Sequence, residues 1–195
     1  ANLEKRVVGL TVLGQALSHF FGRAFPPILK LGAAESSLDL AGAGKLGNVF
    51  PFFFGLGALP AGMIVDRFGS RKTMITFLLS AAAMGVVMLL MKPIYGVAAL
   101  MLVMGMAAGL YHPAGLALLS KNMKRIGEGM GLHGVGGSLG LAFGPLIAAT
   151  IAGFLNWRVA YAALAIPSML LLAWVLLDTE LWKNDGGHTA PSEND

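Results

Sequence analysis

Polar side chains follow one stripe of an otherwise apolar segment near the start of the chain. Gln15, Ser18, His19, Gly22 and Arg23 are spaced at i, i+3, i+4, i+7 and i+8, which puts them on one face of a helix. An arginine that faced lipid would cost about 2.5–3.5 kcal/mol, so we expect this stripe to face protein or water. A histidine titrates at about pH 6.5, so it can also take up a proton. The pattern therefore indicates chemistry with an anion or a proton.

A second histidine, His112, shares a helical face with Gly105 and Gly109 and directly precedes Pro113. Arg23 and two histidines would form an electropositive pocket suited to an anionic substrate. The alternative is that these polar groups hydrogen-bond one another and only stabilise a helix bundle, and for His133 we favour that role. The candidate substrate-binding residues are Gln15, His19, Arg23 and His112.

The elements that position these side chains are long apolar segments. Only 12% of the 195 residues are charged, and mean hydropathy is +0.72, whereas soluble domains have about 25% charged residues. A membrane-spanning helix needs about 20 mostly apolar residues. We predict an all-α membrane protein with six transmembrane helices. The predicted spans are about 6–29, 46–65, 73–91, 95–119, 130–155 and 159–177.

Basic residues concentrate on one side of the predicted topology. With a cytoplasmic amino terminus, the inner segments hold nine of them and the outer segments four, which fits the positive-inside bias. The nine are Lys5, Arg6, Arg67, Arg71, Lys72, Lys121, Lys124, Arg125 and Lys183, and the four are Lys30, Lys45, Lys92 and Arg158. We therefore predict both termini in the cytoplasm and no nucleic-acid partner. Residues 1–178 form the membrane bundle, and residues 179–195 are expected to be a polar, disordered cytoplasmic tail.

The stretch GMIVDRFGSRK, residues 62–72, joins the second and third spans. One interpretation is a basic turn that anchors the topology, with Gly69 allowing a tight turn. The stretch also resembles the loop signature G-x-L-x-D-R-x-G-R-(R/K) of the major facilitator superfamily (MFS), although Ser70 replaces an arginine. The resemblance implies a conformational latch whose Asp faces a helix amino terminus of a second half and whose arginines form ion pairs. The latch set is Gly62, Asp66, Arg67, Gly69, Arg71 and Lys72.

The fifth span carries a second set of motif residues. Gly136, Gly140 and Gly144 form a small-x-x-x-small ridge for close helix packing, and Pro145 interrupts one backbone hydrogen bond. The segment also resembles the superfamily's antiporter motif, with Ala148 in place of the last glycine. The same resemblance implies that the first and fourth spans line a central cavity, where substrate would sit. YHPAG together with HGVGGSLG is similar to the fosmidomycin-resistance branch, whose drug is an anionic phosphonate.

The resemblance covers about residues 5–178, yet a superfamily member normally has twelve spans. We therefore predict an MFS half-bundle built from two three-helix inverted repeats in the inner (plasma) membrane. It would act in the lipid bilayer as a parallel homodimer, or with a second half-transporter, to move a small anion. The second and fifth spans would meet at the interface. The alternatives are an accessory subunit that docks on a larger membrane complex through the glycine ridge, or a fragment of a twelve-span transporter.

The sequence contains no motif of a soluble enzyme. A P-loop, a zinc-ligand spacing and a Gly-x-Ser-x-Gly elbow are absent, and there is no cysteine. We predict no enzymatic activity, no metal and no cofactor.

Overall fold

The computed structural model describes residues 2–35, 37–91, 94–183 and 185, and for residues 27–35 and 94 it describes only the helical backbone. All regular secondary structure in this part of the chain is helical, which confirms the predicted all-α class. The helices are α1 (Asn2–Glu35), α2 (Leu40–Leu90), α3 (Ile94–Asn122), α4 (Ile126–Phe154), α5 (Trp157–Ala163) and α6 (Ala165–Leu177), followed by a 3-10 helix (Thr179–Trp182).

Four stretches of described helix are long and apolar enough to cross a membrane. They are Leu40–Leu90, Tyr95–Asn122, Ile126–Phe154 and Trp157–Leu177. The 34 residues of α1 also exceed the length of a span, but this helix carries the polar stripe and is less apolar. The chain is therefore a multi-pass membrane protein.

The second helix, α2, is too long for one crossing. Its 51 residues would extend about 77 Å if straight, more than twice the hydrocarbon thickness of about 30 Å. The helical path breaks at Gly69, which has φ 83° and ψ 162°, a conformation essentially restricted to glycine. Residues 40–68 and 70–90 are therefore two helical segments joined at one glycine.

Two helices extend beyond the predicted spans, and one predicted span is divided into two helices. Residues 30–35 continue α1, and residues 40–45 open α2, whose N-cap Asp39 accepts a 2.8 Å hydrogen bond from the Gly42 N–H. At the other end of the chain, Leu164 separates α5 from α6. Pro167 has no N–H to donate to the carbonyl three to four residues earlier, which accounts for an interruption there.

Helices α1 and α4 pack together, as do α2 and α3, and α6 packs on α2. Apolar side chains fill the space between them, among them the fully buried Phe21, Phe77 and Tyr111. Large apolar side chains also cover the outer faces, for example Leu59 at 78% and Leu170 at 68% exposed. These outer faces suit contact with lipid rather than water.

The segment after α6 differs from the disordered tail that the sequence predicted. Thr179–Trp182 form a 3-10 helix in which Leu181 and Trp182 are buried. The Trp182 indole N–H donates to the carbonyl of Val175 at 3.1 Å. The two apolar side chains give this stretch enough surface to bury against the bundle. The predicted disorder of residues 184 and 186–195 lies outside the described residues.

Candidate functional site

A polar cluster joins α1 to α3 at the middle of the bundle. The Gln15 side-chain nitrogen lies 3.1 Å from Nε2 of His19 and 3.3 Å from Nε2 of His112. The two imidazole rings meet edge to face, with centroids 5.3 Å apart. Three of the four predicted substrate-binding residues therefore contact one another, although they are up to 97 residues apart in sequence.

Aromatic and further histidine side chains surround this cluster. The ring of Phe54, from α2, meets His112 edge to face at 5.2 Å. His133, from α4, is 5% exposed and stacks on Tyr111 with centroids 6.1 Å apart. Tyr111 in turn donates its hydroxyl to the carbonyl of Thr11 at 2.5 Å. His133 therefore packs against α3 through its ring.

A cavity of about 390 Å³ opens between α1 and α2 beside the cluster. Its volume is within the range of small-molecule sites, about 300–1,000 Å³. Its lining residues are Ser18, His19, Gly22, Arg23, Pro26, Gly47, Asn48, Phe50, Pro51 and Phe54. The side chain of Arg23 is exposed, and the rings of Phe50 and Phe54 stack 6.2 Å apart on the opposite wall. Gln15 and His112 lie behind the cavity rather than on its lining.

The predicted glycine ridge packs inside this chain. A Cβ on Gly136 or Gly140 would overlap the backbone carbonyl oxygens of Val12 and Ala16, and Gly144 faces Phe20. All three glycines are buried, so the ridge brings α4 onto α1 and thereby supports the polar stripe. An accessory subunit would therefore need a face other than this ridge to dock on a larger complex. Pro145 is accommodated within the continuous helix α4.

The residues of the predicted latch lie at and around the break in α2. Gly69 forms the break, and the Arg71 guanidinium donates to the Leu176 carbonyl at 3.1 Å. The Arg67 guanidinium carbon lies 5.5 Å from the ring centroid of Phe68. Asp66 and Lys72 are exposed, and Gly62 faces open space. The described residues offer Asp66 no partner, so the helix amino terminus that the resemblance implies for it is not among them.

Two acidic residues near the carboxyl end were missed by sequence reasoning. The Asp185 carboxylate accepts hydrogen bonds from the N–H groups of Ser70, at 2.9 Å, and Arg71, at 2.7 Å, and lies 3.6 Å from Nζ of Lys121. It thus occupies the amino terminus of the helical segment after Gly69, where an anion is stabilised. The only signal in the sequence is an acidic residue following the last span on the basic side of the membrane.

Asp178 closes the bundle at the same end. It forms an ion pair with Arg6 of α1, through a 2.8 Å hydrogen bond from Nε of Arg6, and accepts a second hydrogen bond from the Trp174 indole at 3.2 Å. Burial by itself raises the pKa of Asp178, but the hydrogen bonds from Arg6 and Trp174 and the charge of Arg6 outweigh it. The pKa of Asp178 is therefore below its ordinary value.

These features can be compared with known proteins. The family model of the Major Facilitator Superfamily matches residues 11–192. This chain belongs to the major facilitator superfamily. The resemblance predicted from the latch and antiporter motifs is thereby confirmed, and transport is the activity associated with this superfamily.

Individual superfamily members are similar over most of this chain but are much longer. The inner membrane transport protein YnfM of Escherichia coli (strain K12) is 28% identical over 156 residues, which is 77% of this chain and 37% of that protein. A POT family transporter in complex with 5-aminolevulinic acid has a TM-score of 0.76 at 21% identity, over 92% of this chain and 38% of that one. Peptide transporter POT in complex with sulfate has a TM-score of 0.77 at 18% identity, over 95% of this chain and 39% of that one. The chain thus spans well under half the length of these relatives.

Proposed function

We propose that this chain forms one six-span half of a secondary transporter that moves a small organic anion across the membrane by alternating access. It pairs with a second copy, or with another half, to enclose a central cavity. The observation that carries the proposal is the cavity between α1 and α2, where the side chains of Arg23 and His19 face an aromatic wall.

The helix lengths support the six spans of this proposal. α1 is the first span, residues 40–68 and 70–90 are the second and third, α3 and α4 are the fourth and fifth, and α5 with α6 is the sixth. The first three and last three would form two inverted repeats. An even number of spans puts both termini on one side of the membrane. The positive charge of the loops on that side supports a cytoplasmic location for the termini and an inner-membrane location for the protein.

The charge of the cavity favours an anion. Among its described lining residues there is one permanent cation, Arg23, and no carboxylate. An anion that leaves water needs charge-assisted hydrogen bonds, and a guanidinium provides two in parallel. The stacked rings of Phe50 and Phe54 offer an apolar surface to the rest of the molecule. A small phosphonate, as the similarity to the fosmidomycin-resistance branch predicts, has this combination.

The second half is proposed to pack on glycines that have no neighbour among the described residues. In that part of the chain, a Cβ on Gly55 or Gly62 of α2, or on Gly131 or Gly134 of α4, would meet nothing within 4 Å. These positions lie on the second and fifth spans, away from the buried ridge on α4. Small residues on two helices let a partner's backbone approach closely in lipid.

Transport is tested with the full chain in proteoliposomes on a solid-supported membrane. Concentration jumps of methylphosphonate, lactate and benzoate, with and without a pH gradient, are expected to produce charge movements, whereas a jump of tetramethylammonium is not. Arg23→Gln should weaken the apparent affinity for the anions about tenfold or more, since a charged hydrogen bond is lost.

Arg125→Gln is the matched control, because it removes the same charge from a side chain that is 77% exposed. Within the described part of the chain, this side chain pairs with Glu128 near the start of α4. It should leave the anion responses at the native level. Undiminished anion responses in Arg23→Gln would remove Arg23 from the site. Native responses to tetramethylammonium but to none of the anions would overturn the substrate class.

The proposed interface can be mapped with cysteines, since the native chain has none. Leu59 lies ten residues before Gly69 and Val135 ten residues after Arg125, so both are about 15 Å from the cytoplasmic ends of their helices. Both side chains are exposed. A chain carrying Leu59→Cys mixed with one carrying Val135→Cys should form a disulfide-linked parallel dimer in membranes.

Leu79→Cys with Val135→Cys is the control for cross-linking. Leu79 lies ten residues after Gly69 and is 56% exposed, so it matches Leu59 in depth and accessibility but belongs to the third span. Equal cross-linking of both pairs, or only antiparallel products, would contradict the parallel homodimer. Purification at a fixed ratio with a larger complex would instead support the accessory subunit.

A further inference from the structure

The side chain of Gln15 bridges two histidines. Its amide nitrogen lies 3.1 Å from Nε2 of His19 and 3.3 Å from Nε2 of His112. Gln15 is only 7% exposed, and its other polar atom, Oε1, has no hydrogen-bond partner among the described residues. The same end of this buried amide therefore contacts both imidazole rings.

Hydrogen-bond chemistry restricts what the two rings can be. The NH₂ end of an amide can only donate hydrogen bonds, to as many as two acceptors. Its oxygen can only accept hydrogen bonds, from as many as two donors. With the NH₂ end between the rings, both Nε2 atoms must be unprotonated, so both rings carry their proton on Nδ1. With the oxygen there instead, both Nε2 atoms must carry a proton. A mixed pair leaves one contact unsatisfied in either orientation, which is costly for buried groups.

We infer that Gln15 couples the proton states of His19 and His112, so that both rings always present the same kind of Nε2 to the amide. The inference rests on the proposed function in that His19 lines the anion cavity. When His19 binds one proton from water on Nε2, the amide turns its oxygen towards the rings. His112 then moves its own proton from Nδ1 to Nε2 and stays neutral, so one proton is added in total.

The charges around His19 and His112 limit the two rings to one added proton. Arg23 follows His19 on α1 and is already cationic, and a second imidazolium would lie only 5.3 Å from the first, centroid to centroid. From α3 the titratable neighbour is Tyr111, whose hydroxyl is engaged by the carbonyl of Thr11. From α4 it is His133, and α2 contributes the apolar ring of Phe54. No carboxylate among the described residues faces the pair.

Protonation of a histidine on one helix therefore changes the hydrogen-bonding character of a histidine on a second helix. A proton bound at His19 on α1 changes Nδ1 of His112 on α3 from donor to acceptor, although His112 itself gains no charge. Gln15 is thus a positioning residue, which couples the protonation of His19 on α1 to the tautomer of His112 on α3.

The test uses the full chain, labelled with ¹⁵N-histidine, in lipid nanodiscs, and it needs no transport. Imidazole ¹⁵N shifts distinguish protonated from bare nitrogens, and His112→Asn, His133→Asn and His188→Asn variants assign the four histidines. In the native chain the Nε2 signal of His112 should change from bare to protonated at the same pH midpoint as His19. Independent midpoints, or a His112 tautomer that never changes, would overturn the inference without any variant.

Two variants separate coupling from simple packing. Gln15→Met keeps the side-chain length without an amide, and His112 should then keep its tautomer when His19 is protonated. Gln15→Glu offers oxygen acceptors only, and both Nε2 atoms should stay protonated at pH values where they are bare in the native chain. Native-like coupling in Gln15→Met would refute the inference. Since the readout is spectroscopic, coupled histidines with silent proteoliposomes would reject the proposed transport and leave the coupling intact.

Discussion

The carboxylate of Asp185 accepts a 2.7 Å hydrogen bond from the backbone N–H of Arg71, 114 residues earlier in the chain. The neighbouring N–H of Ser70 donates to the other oxygen at 2.9 Å. A residue beyond the last predicted span therefore acts as the cap of the helical segment that follows Gly69. This contact ties the carboxyl-terminal segment to the loop predicted to be a conformational latch.

The first prediction concerns this cap. Asp185→Ala should lower the free energy of unfolding by about 1–2 kcal/mol, since two helix N–H groups lose their acceptor and the helix dipole its anion. Denaturant titration of the chain in mixed micelles measures the loss. Glu180→Ala is the control, because the described partner of the Glu180 side chain is Lys183 at the surface, and its effect should stay below about 0.5 kcal/mol. Equal losses for the two variants would argue against a capping role.

The second prediction concerns the break in α2. Gly69→Ala should destabilise the chain by about 1–3 kcal/mol, because φ 83° with ψ 162° is strained for any residue with a side chain. The added Cβ would also lie 3.0 Å from Oδ2 of Asp185. The same denaturant titration checks it.

Gly44→Ala is the matched control for Gly69→Ala, since Gly44 lies within the helical part of α2 and a Cβ there meets no described atom within 4 Å. Alanine is favoured over glycine in a helix by about 1 kcal/mol, so this variant should be as stable as the native chain or more so. If Gly69→Ala unfolded at the native denaturant concentration, the strain assigned to that position would be wrong.

The third prediction concerns the ridge between α4 and α1. Gly140→Ala would force a methyl group into the backbone carbonyl of Ala16, so the two helices must separate. Overpacking of this kind costs about 1–3 kcal/mol, and it should also displace the polar stripe on α1. The variant should therefore unfold earlier and bind methylphosphonate more weakly, as measured by titration calorimetry. Gly153→Ala, near the other end of α4, where an added Cβ meets no described atom within 4 Å, should match the native chain in both measurements.

The fourth prediction concerns pH and the pair of Arg6 and Asp178. The pKa of Asp178 is lowered in the folded chain, so its stabilising contribution is complete above the unfolded pKa of about 3.9. It is lost as pH falls through the lower folded value, because the carboxyl is then protonated in both states. The difference in unfolding free energy between native chain and Asp178→Asn should thus be constant from about pH 7 to pH 5 and shrink at more acidic pH.

Arg6→Gln identifies the partner responsible for that pH dependence. In its background the further change Asp178→Asn should have a smaller effect, since the ion pair is already broken. A difference between native chain and Asp178→Asn that grew on acidification would contradict the assigned direction.

The spacing of residues predicted several parts of the candidate site. The stripe on α1 was visible because i, i+3 and i+4 positions share a helix face, and His112 stood out as a polar group in an apolar segment. The amide bridge between the two histidines was not visible, since Gln15 and His112 are 97 residues apart. The glycine ridge illustrates the same limit: its spacing predicted close packing, but not that α1 would be the partner.

The amino-acid sequence by itself determined the class of this protein. Charge-free segments of about 20 residues satisfy their backbone hydrogen bonds in lipid as helices, and the order of residues 62–72 identified the superfamily. The tertiary structure decided which helices face each other, and with that the cavity beside Arg23, the bridge at Gln15 and the cap by Asp185. Those contacts depend on directions in space between distant segments, and in apolar helices a periodic pattern carries little information about which face meets which neighbour.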